Sequence, residues 1–190
     1  IAYGTCCTHI VGQGQGHTII RLAESASGFD NASLPKGVLR TSKSLTNDTK
    51  NNVAFRNYIQ DLTVSIGKNN PGAIGIEFIS SNSGAVKNVD IVSEDGGGFC
   101  GLAMEIGWPG PLLVKNLAVE GFDYGIRAGW NEYSQTCENI RLIGQKIAAI
   151  HNNGNMMAIR NLTTRTAAPA IVNRKSNAMI VLLDATLEGG

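Results

Sequence analysis

The sequence predicts an all-β fold, a single-stranded right-handed parallel β-helix wound from coils of roughly two dozen residues. Two short motifs recur together at one period along the chain. Both alternate apolar and polar residues with the period of two that marks strands. No segment shows a sustained helical stripe with caps.

The first motif is an Asn or Asp followed by alternating apolar residues. Its copies are Asp61-Leu62-Thr63-Val64, Asn88-Val89-Asp90-Ile91, Asn116-Leu117-Ala118-Val119, Asn139-Ile140-Arg141-Leu142 and Asn161-Leu162-Thr163-Thr164. A weaker copy is Asp184-Ala185-Thr186-Leu187. The leading residues are spaced by 27, 28, 23, 22 and 23 positions.

The second motif lies about a dozen residues upstream of each copy from Asn88 on. It is a Gly or Ala followed by an apolar residue, as in Gly75-Ile76-Glu77-Phe78, Gly101-Leu102-Ala103-Met104 and Gly125-Ile126-Arg127-Ala128. Later copies are Ala149-Ile150-His151-Asn152 and Ala170-Ile171-Val172-Asn173.

Each coil then has three strands. Strand one is the Gly-Ile type unit. A variable loop follows, such as Ser80–Gly84 or Gly107–Pro111. A short strand two ends at Val86, Val114, Cys137 or Ile159, and the Asn sits at a sharp bend before strand three. Asn accepts left-handed backbone angles, and stacked Asn side chains can bond from coil to coil. No coil buries its apolar residues alone; stacking lines them into ladders about 4.8 Å apart.

The expected organisation is one domain over 1–190 of about six to seven coils. Residues 1–22 supply the first coil strands, 23–52 a polar loop excursion, and 53–190 the regular coils. Ile1–Thr8 reads like the middle of a fold and Leu187–Gly190 stops abruptly, so a segment of a longer protein, truncated at both ends, is expected. Gly12-Gln13-Gly14-Gln15-Gly16 lacks the dinucleotide spacing, and no helix follows it.

Bulk properties exclude several classes. The formal net charge of the 190 residues is +1 with no long run of one sign, which argues against a nucleic-acid surface. No apolar run approaches 18 residues, so membrane insertion by a helix is not expected. The 23 glycines suit many tight turns between short strands. Cys6, Cys7, Cys100 and Cys137 form no CxxC pair, so a zinc site is not expected; no other metal and no cofactor is expected either. Cys6 and Cys7 are adjacent and would not normally bond each other. The repeat places Cys100 and Cys137 among inward residues as buried free thiols.

Thr8-His9-Ile10-Val11-Gly12-Gln13-Gly14, with Thr18-Ile19-Ile20 after it, resembles the opening coil of the pectate-lyase-superfamily β-helix domain. That domain is shared with glycoside hydrolases of the polygalacturonase and β-1,3-glucanase types. Asn70-Pro71-Gly72-Ala73-Ile74-Gly75-Ile76, Ser93-Glu94-Asp95-Gly96 and Gly121-Phe122-Asp123-Tyr124-Gly125-Ile126 are similar to its successive coils. The resemblance implies an extracellular, carbohydrate-directed protein whose strand one faces a substrate groove. The paired-Asp motifs of polygalacturonases and the calcium-binding Asp cluster of pectate lyases are not found. In the glucanase-like relatives the catalytic acid lies in a later part of a longer chain.

Ile76, Leu102, Ile126, Ile150 and Ile171 should point inward. One outward column then reads Glu77, Ala103, Arg127, His151 and Val172, and the next reads Ile79, Glu105, Gly129, Asn153 and Arg174. Asp123 joins from the preceding column. The candidate catalytic residues are therefore Glu77, Glu105, Asp123, Arg127 and His151, with Trp108, Trp130 and Arg174 as substrate-binding residues. Glu77 and Glu105 would have Cβ atoms roughly 8 Å apart, from strand spacing and rise. Carboxylates near that separation suit an inverting glycosidase. His151 or Arg127 would hold a uronate carboxylate or abstract a proton as in a lyase. Trp108 and Trp130 would stack on sugar rings. The competing expectation is that Glu77, Glu105 and Arg127 form a solvated ion-pair network, that Trp108 packs its own loop, and that His151 is exposed without a role.

Three functions fit. One is a polysaccharide hydrolase or lyase acting along the strand-one face. The second is a non-catalytic glycan-binding β-helix of the adhesin or tail-fibre kind. The third is a structural segment associating through its open ends. The partner in the first two is a polysaccharide or oligosaccharide.

Overall fold

The computed structural model describes residues 6–41, 52–130 and 134–188, and every regular element in it is a strand. The chain opens with β1 (His9–Val11), β2 (Ile19–Arg21) and β3 (Lys36–Arg40). It continues with β4 (Phe55–Ser65), β5 (Ala73–Glu77), β6 (Ser81–Val92), β7 (Cys100–Met104) and β8 (Leu112–Glu120). It closes with β9 (Tyr124–Gly129), β10 (Gln135–Ile143), β11 (Ala148–Asn153), β12 (Met156–Arg165), β13 (Ile171–Asn173) and β14 (Met179–Glu188).

From β3 on, successive strands alternate between two sheets, and every pairing is parallel. The front sheet has six strands in the order β13-β11-β9-β7-β5-β3. The back sheet has eight, in the order β1-β4-β6-β8-β10-β12-β14, with β2 also on β4. The result is a parallel β-helix of about five turns.

That count is below the expected six to seven for a physical reason. The strands β1 and β2 do not open separate coils. They share one edge, with His9 beside Tyr58 and Ile19 beside Thr63 on β4. The expected strands two and three are likewise one continuous strand, bent at the Asn. The loop expected at Ser80–Gly84 is mostly the start of β6.

Segment 23–52 is not purely a loop, since β3 lies within it; residues 42–51 of that segment, like 1–5, 131–133 and 189–190, lie outside the described residues.

The inward ladder is as the alternation requires. Ile76 pairs with Leu102, Leu102 with Ile126, Ile126 with Ile150, and Ile150 with Ile171. The back sheet faces it with Leu62, Val89, Leu117, Ile140 and Leu162 in register. All but the rim residue Ile171 are buried in one continuous core. Each buried Ile or Leu contributes about 1.5–3 kcal/mol.

The leading Gly of the second motif has a steric cause. A Cβ at Gly75 would strike the Ile91 side chain, one at Gly101 would strike Val119, and one at Gly125 would meet Leu142. Gly75 and Ile76 thus both face the lumen, and only a residue with little or no side chain fits first. Ala149 fills the same place one coil later and is fully buried.

The Asn motif is the other corner. Asp61, Asn88, Asn116, Asn139, Asn161 and Asp184 all have φ between 51° and 59°. Asn88 donates to Asp61 at 2.7 Å, Asn116 to Asn88 at 2.7 Å, Asn139 to Asn116 at 2.8 Å and Asn161 to Asn139 at 2.9 Å. A short amide side chain tolerates the left-handed bend and supplies both a donor and an acceptor to its neighbours. The fully buried Asn152 donates to Asn173 Oδ1 at 3.1 Å, Asn173 itself being exposed at the rim. Cys100 and Cys137 are both buried free thiols; Cys137 joins the lumen core as expected, whereas Cys100 stands beside Ile74 and Tyr124 and packs with Ile74 and Ala103 outside that core. No helix among the described residues is long and apolar enough to cross a membrane.

Candidate functional site

The outer face of the front sheet carries the column Arg40, Glu77, Ala103, Arg127, His151 and Val172, each beside the next across paired strands. Five of these residues form the column expected from alternation. Arg40 extends it by one rung.

A groove of about 690 Å³ opens over this face. Its floor includes Ile74, Glu77, Phe99, Ala103, Glu105 and Arg127, with Trp130 along one side. Ser33, Leu34, Pro35 and Lys36 form a lip at the β3 end. The lip is tied to the coil by Lys36 N–H donating to Gly72 O at 2.9 Å and Gly72 N–H donating to Phe29 O at 2.8 Å. The small side chain of Ala103 leaves the dip between Glu77 and Arg127.

Two arginine–carboxylate pairs line the groove. Arg40 Nε lies 3.1 Å from Glu77 Oε2, and both side chains are almost wholly buried. Arg127 binds Glu105 through two bonds, Nε to Oε2 at 2.7 Å and Nη2 to Oε1 at 2.9 Å. Arg127 also lies over two rings, with its guanidinium carbon 4.5 Å from the Tyr124 centroid and 5.0 Å from that of Phe99. Stacking and bidentate pairing fix the guanidinium plane.

The expected ion-pair network is therefore corrected. Glu77 pairs with Arg40 rather than with Arg127, and it is buried rather than solvated. Burial pushes the Glu77 carboxyl above the usual carboxylate range. Arg40 and the backbone N–H of Gly37 pull it back, while the charge of Glu105 adds to the rise.

His151 sits one rung beyond Arg127, edge-on to Tyr124 with centroids 5.5 Å apart. Its Nδ1 is buried without a hydrogen-bond partner. Burial, and then the neighbouring Arg127 charge, lower its basicity below that of an ordinary imidazole.

Neither His151 nor the remaining expected residues, Asp123, Trp108 and Arg174, line this groove. Asp123 stands in the turn before β9, where burial raises its carboxyl and Lys146 opposes the rise. Trp108 sits in the turn after β7, its ring centroid 6.3 Å from that of Trp130. Arg174 follows β13 and is exposed. A smaller space beyond the groove is bounded by Glu105, Trp130, Asn153, Lys175 and Asn177, so Glu105 and Trp130 border both. Among the described residues no cluster of three or more His, Cys, Asp or Glu could hold a metal ion.

Sequence reasoning missed Arg40, Phe99, Tyr124 and the lip. A faint signal existed for Arg40. Gly37-Val38 imitates the second motif but stands one residue out of step, since register puts Leu39 beside Ile76 and Arg40 beside Glu77. The long interval from Leu39 to Ile76 hid this coil from the period.

A family model described as rhamnogalacturonase A/epimerase, pectate lyase-like, matches residues 5–188. No curated protein and no solved structure matches the chain.

Proposed function

The chain belongs to the rhamnogalacturonase A/epimerase, pectate lyase-like family, and on that premise we propose that it cleaves a polysaccharide held in the groove of the front sheet. Fold and family together support a carbohydrate-active β-helix protein. The observation that carries the cleavage reading is Glu77. It is a buried carboxyl that holds its proton above the usual range, and it faces a groove shared with a second carboxylate.

In this reading Glu77 gives its proton to the leaving glycosidic oxygen. Glu105 takes a proton from the attacking water on the opposite side of the sugar ring, as in inverting hydrolysis. Arg127 positions Glu105, and the Phe99 and Tyr124 rings position Arg127. Trp130 offers an aromatic face to a sugar ring beside the groove. A lyase reading gives His151 the role of base instead, since it is held neutral by burial and by Arg127.

A specific observation favours glycan binding without turnover. Both carboxylates are already engaged by arginines. Incubation with a panel of pectic and other polysaccharides, followed by product sizing, separates the readings. Shortened saturated products indicate hydrolysis, and unsaturated products a lyase. Binding with no products indicates a glycan-binding module. Loss of cleavage in Glu77→Gln or Glu105→Gln with an unchanged fold supports the assigned roles. Full activity in both variants removes these residues from the mechanism.

A further inference from the structure

We propose that Cys6 and Cys7 form a reversible vicinal disulfide, a redox site separate from the groove. Adjacent residues of an extended strand point to opposite faces, which keeps neighbouring thiols apart. Cys7 has φ of 68°. That left-handed backbone cancels the alternation, and the two Sγ atoms lie 2.8 Å apart. Both residues are exposed, so a small oxidant reaches them.

The bend is held in place by the first complete coil. Cys7 N–H donates to Phe55 O at 2.6 Å. Thr8 N–H donates to Asn57 Oδ1 at 3.2 Å, and Tyr58 N–H donates to Thr8 O at 2.9 Å. Asn57 is fully buried and is itself fixed by donating to Ala54 O at 3.1 Å and Ile79 O at 3.2 Å. The dithiol therefore sits on an anchored backbone. The close contact with Cys6 raises the pKa of the Cys7 thiol.

The oxidant is a small-molecule disulfide. The Cys6 thiolate attacks one of its sulfurs, forming a mixed disulfide and releasing the first small thiol. The Cys7 thiolate then attacks Cys6 Sγ, closing the vicinal disulfide and releasing the second. Two protein thiols are oxidised, the small disulfide is reduced to two thiols, and the two protons leave with them. A ring closed between neighbouring residues is strained, so it reopens readily with reductant.

The test uses the folded protein with oxidised glutathione, then maleimide labelling and mass spectrometry. Cys100 and Cys137 are buried, so only Cys6 and Cys7 react in the native state. The expected product has lost two hydrogens, takes up no maleimide, and regains two labelling sites with dithiothreitol. The loss maps to the tryptic peptide ending at Arg21. Cys7→Ser should instead retain one glutathione on Cys6. Wild-type protein that keeps glutathione on either cysteine, or that cross-links into dimers through this peptide, overturns the proposal.

Discussion

Arg40 and Glu77 stand side by side on β3 and β5 and form an ion pair at 3.1 Å, with 4% and 7% of the residues exposed. The pair sits under the lip, at the one end of the groove that the repeat alone did not reveal. Removing one partner of a buried pair leaves an uncompensated charge, which costs about 3–5 kcal/mol. Arg40→Leu should therefore destabilise the protein by about that amount in denaturant unfolding, and Arg40→Leu with Glu77→Gln should recover most of it. A cost under about 1 kcal/mol for Arg40→Leu would show that the pair is effectively solvated.

The same carboxyl sets a pH dependence. Its folded pKa is raised above the ordinary 4.5 by burial. A raised value means that the folded state holds the proton more tightly than the unfolded one. The stability that this proton contributes is complete below pH 4.5 and is lost as pH rises through the folded pKa. Melting temperatures of wild type and Glu77→Gln across pH should show the wild type losing ground relative to the variant over that window. A constant difference contradicts the assignment.

Glu94 behaves in the opposite sense. Arg21 holds it by bonds of 2.6 and 2.7 Å, Ser65 donates a third at 2.8 Å, and its pKa falls to about 2. A lowered value contributes stability above pH 4.5 that is lost as pH falls toward about 2. The contact joins β2 to the turn after β6. Arg21→Gln should return the Glu94 carboxyl toward its ordinary titration, read by NMR. An unmoved titration would assign the shift to Ser65 alone.

The Asn ladder separates a backbone role from a hydrogen-bonding one. Asn116 both donates to Asn88 and accepts from Asn139. Asn116→Ala loses both bonds and keeps a Cβ at a left-handed position without the amide that eases it, for a cost of about 2–4 kcal/mol. Asn116→Gly loses the bonds but relieves the backbone, so it should cost less than the Ala variant. Equal and negligible costs in chemical denaturation would remove the ladder from the stability of the coil.

Two buried polar side chains interrupt apolar columns without hydrogen-bond partners. Gln135 lies fully buried between Leu112 and Met157, with both amide atoms unpaired. Thr164 is fully buried beside Leu142, with its hydroxyl unpaired. Gln135→Met and Thr164→Val should each stabilise the protein by about 1–3 kcal/mol, the desolvation cost of an unmade bond. A loss of stability in either would mean that the polar group has a partner, such as an internal water.

Legibility followed the period. The outward column of Glu77, Arg127 and His151 could be read because side-chain direction alternates strictly along a strand. Trp108 rests on nearness in sequence to those strands, and Asp123 and Arg174 on alternation extended past the ends of β9 and β13. They lie in turns or beyond strand ends, where the period gives no direction. Arg40 escaped because its coil is lengthened. Tyr124 escaped because the Gly corner puts two consecutive residues inward and shifts the outward face by one, and Phe99 because it lies in the bend before β7, outside the alternation.

By itself the sequence determined the winding, the inward ladder, the Asn corner and the face that bears the groove. Each of these repeats, and repetition writes a geometric rule into residue spacing. Only the tertiary structure decided which charges meet, because an ion pair joins residues far apart in the chain and depends on register between coils of unequal length. Hence it placed Arg40 over Glu77, clamped Arg127 between Glu105 and two rings, and folded Leu34 and Lys36 into a lip.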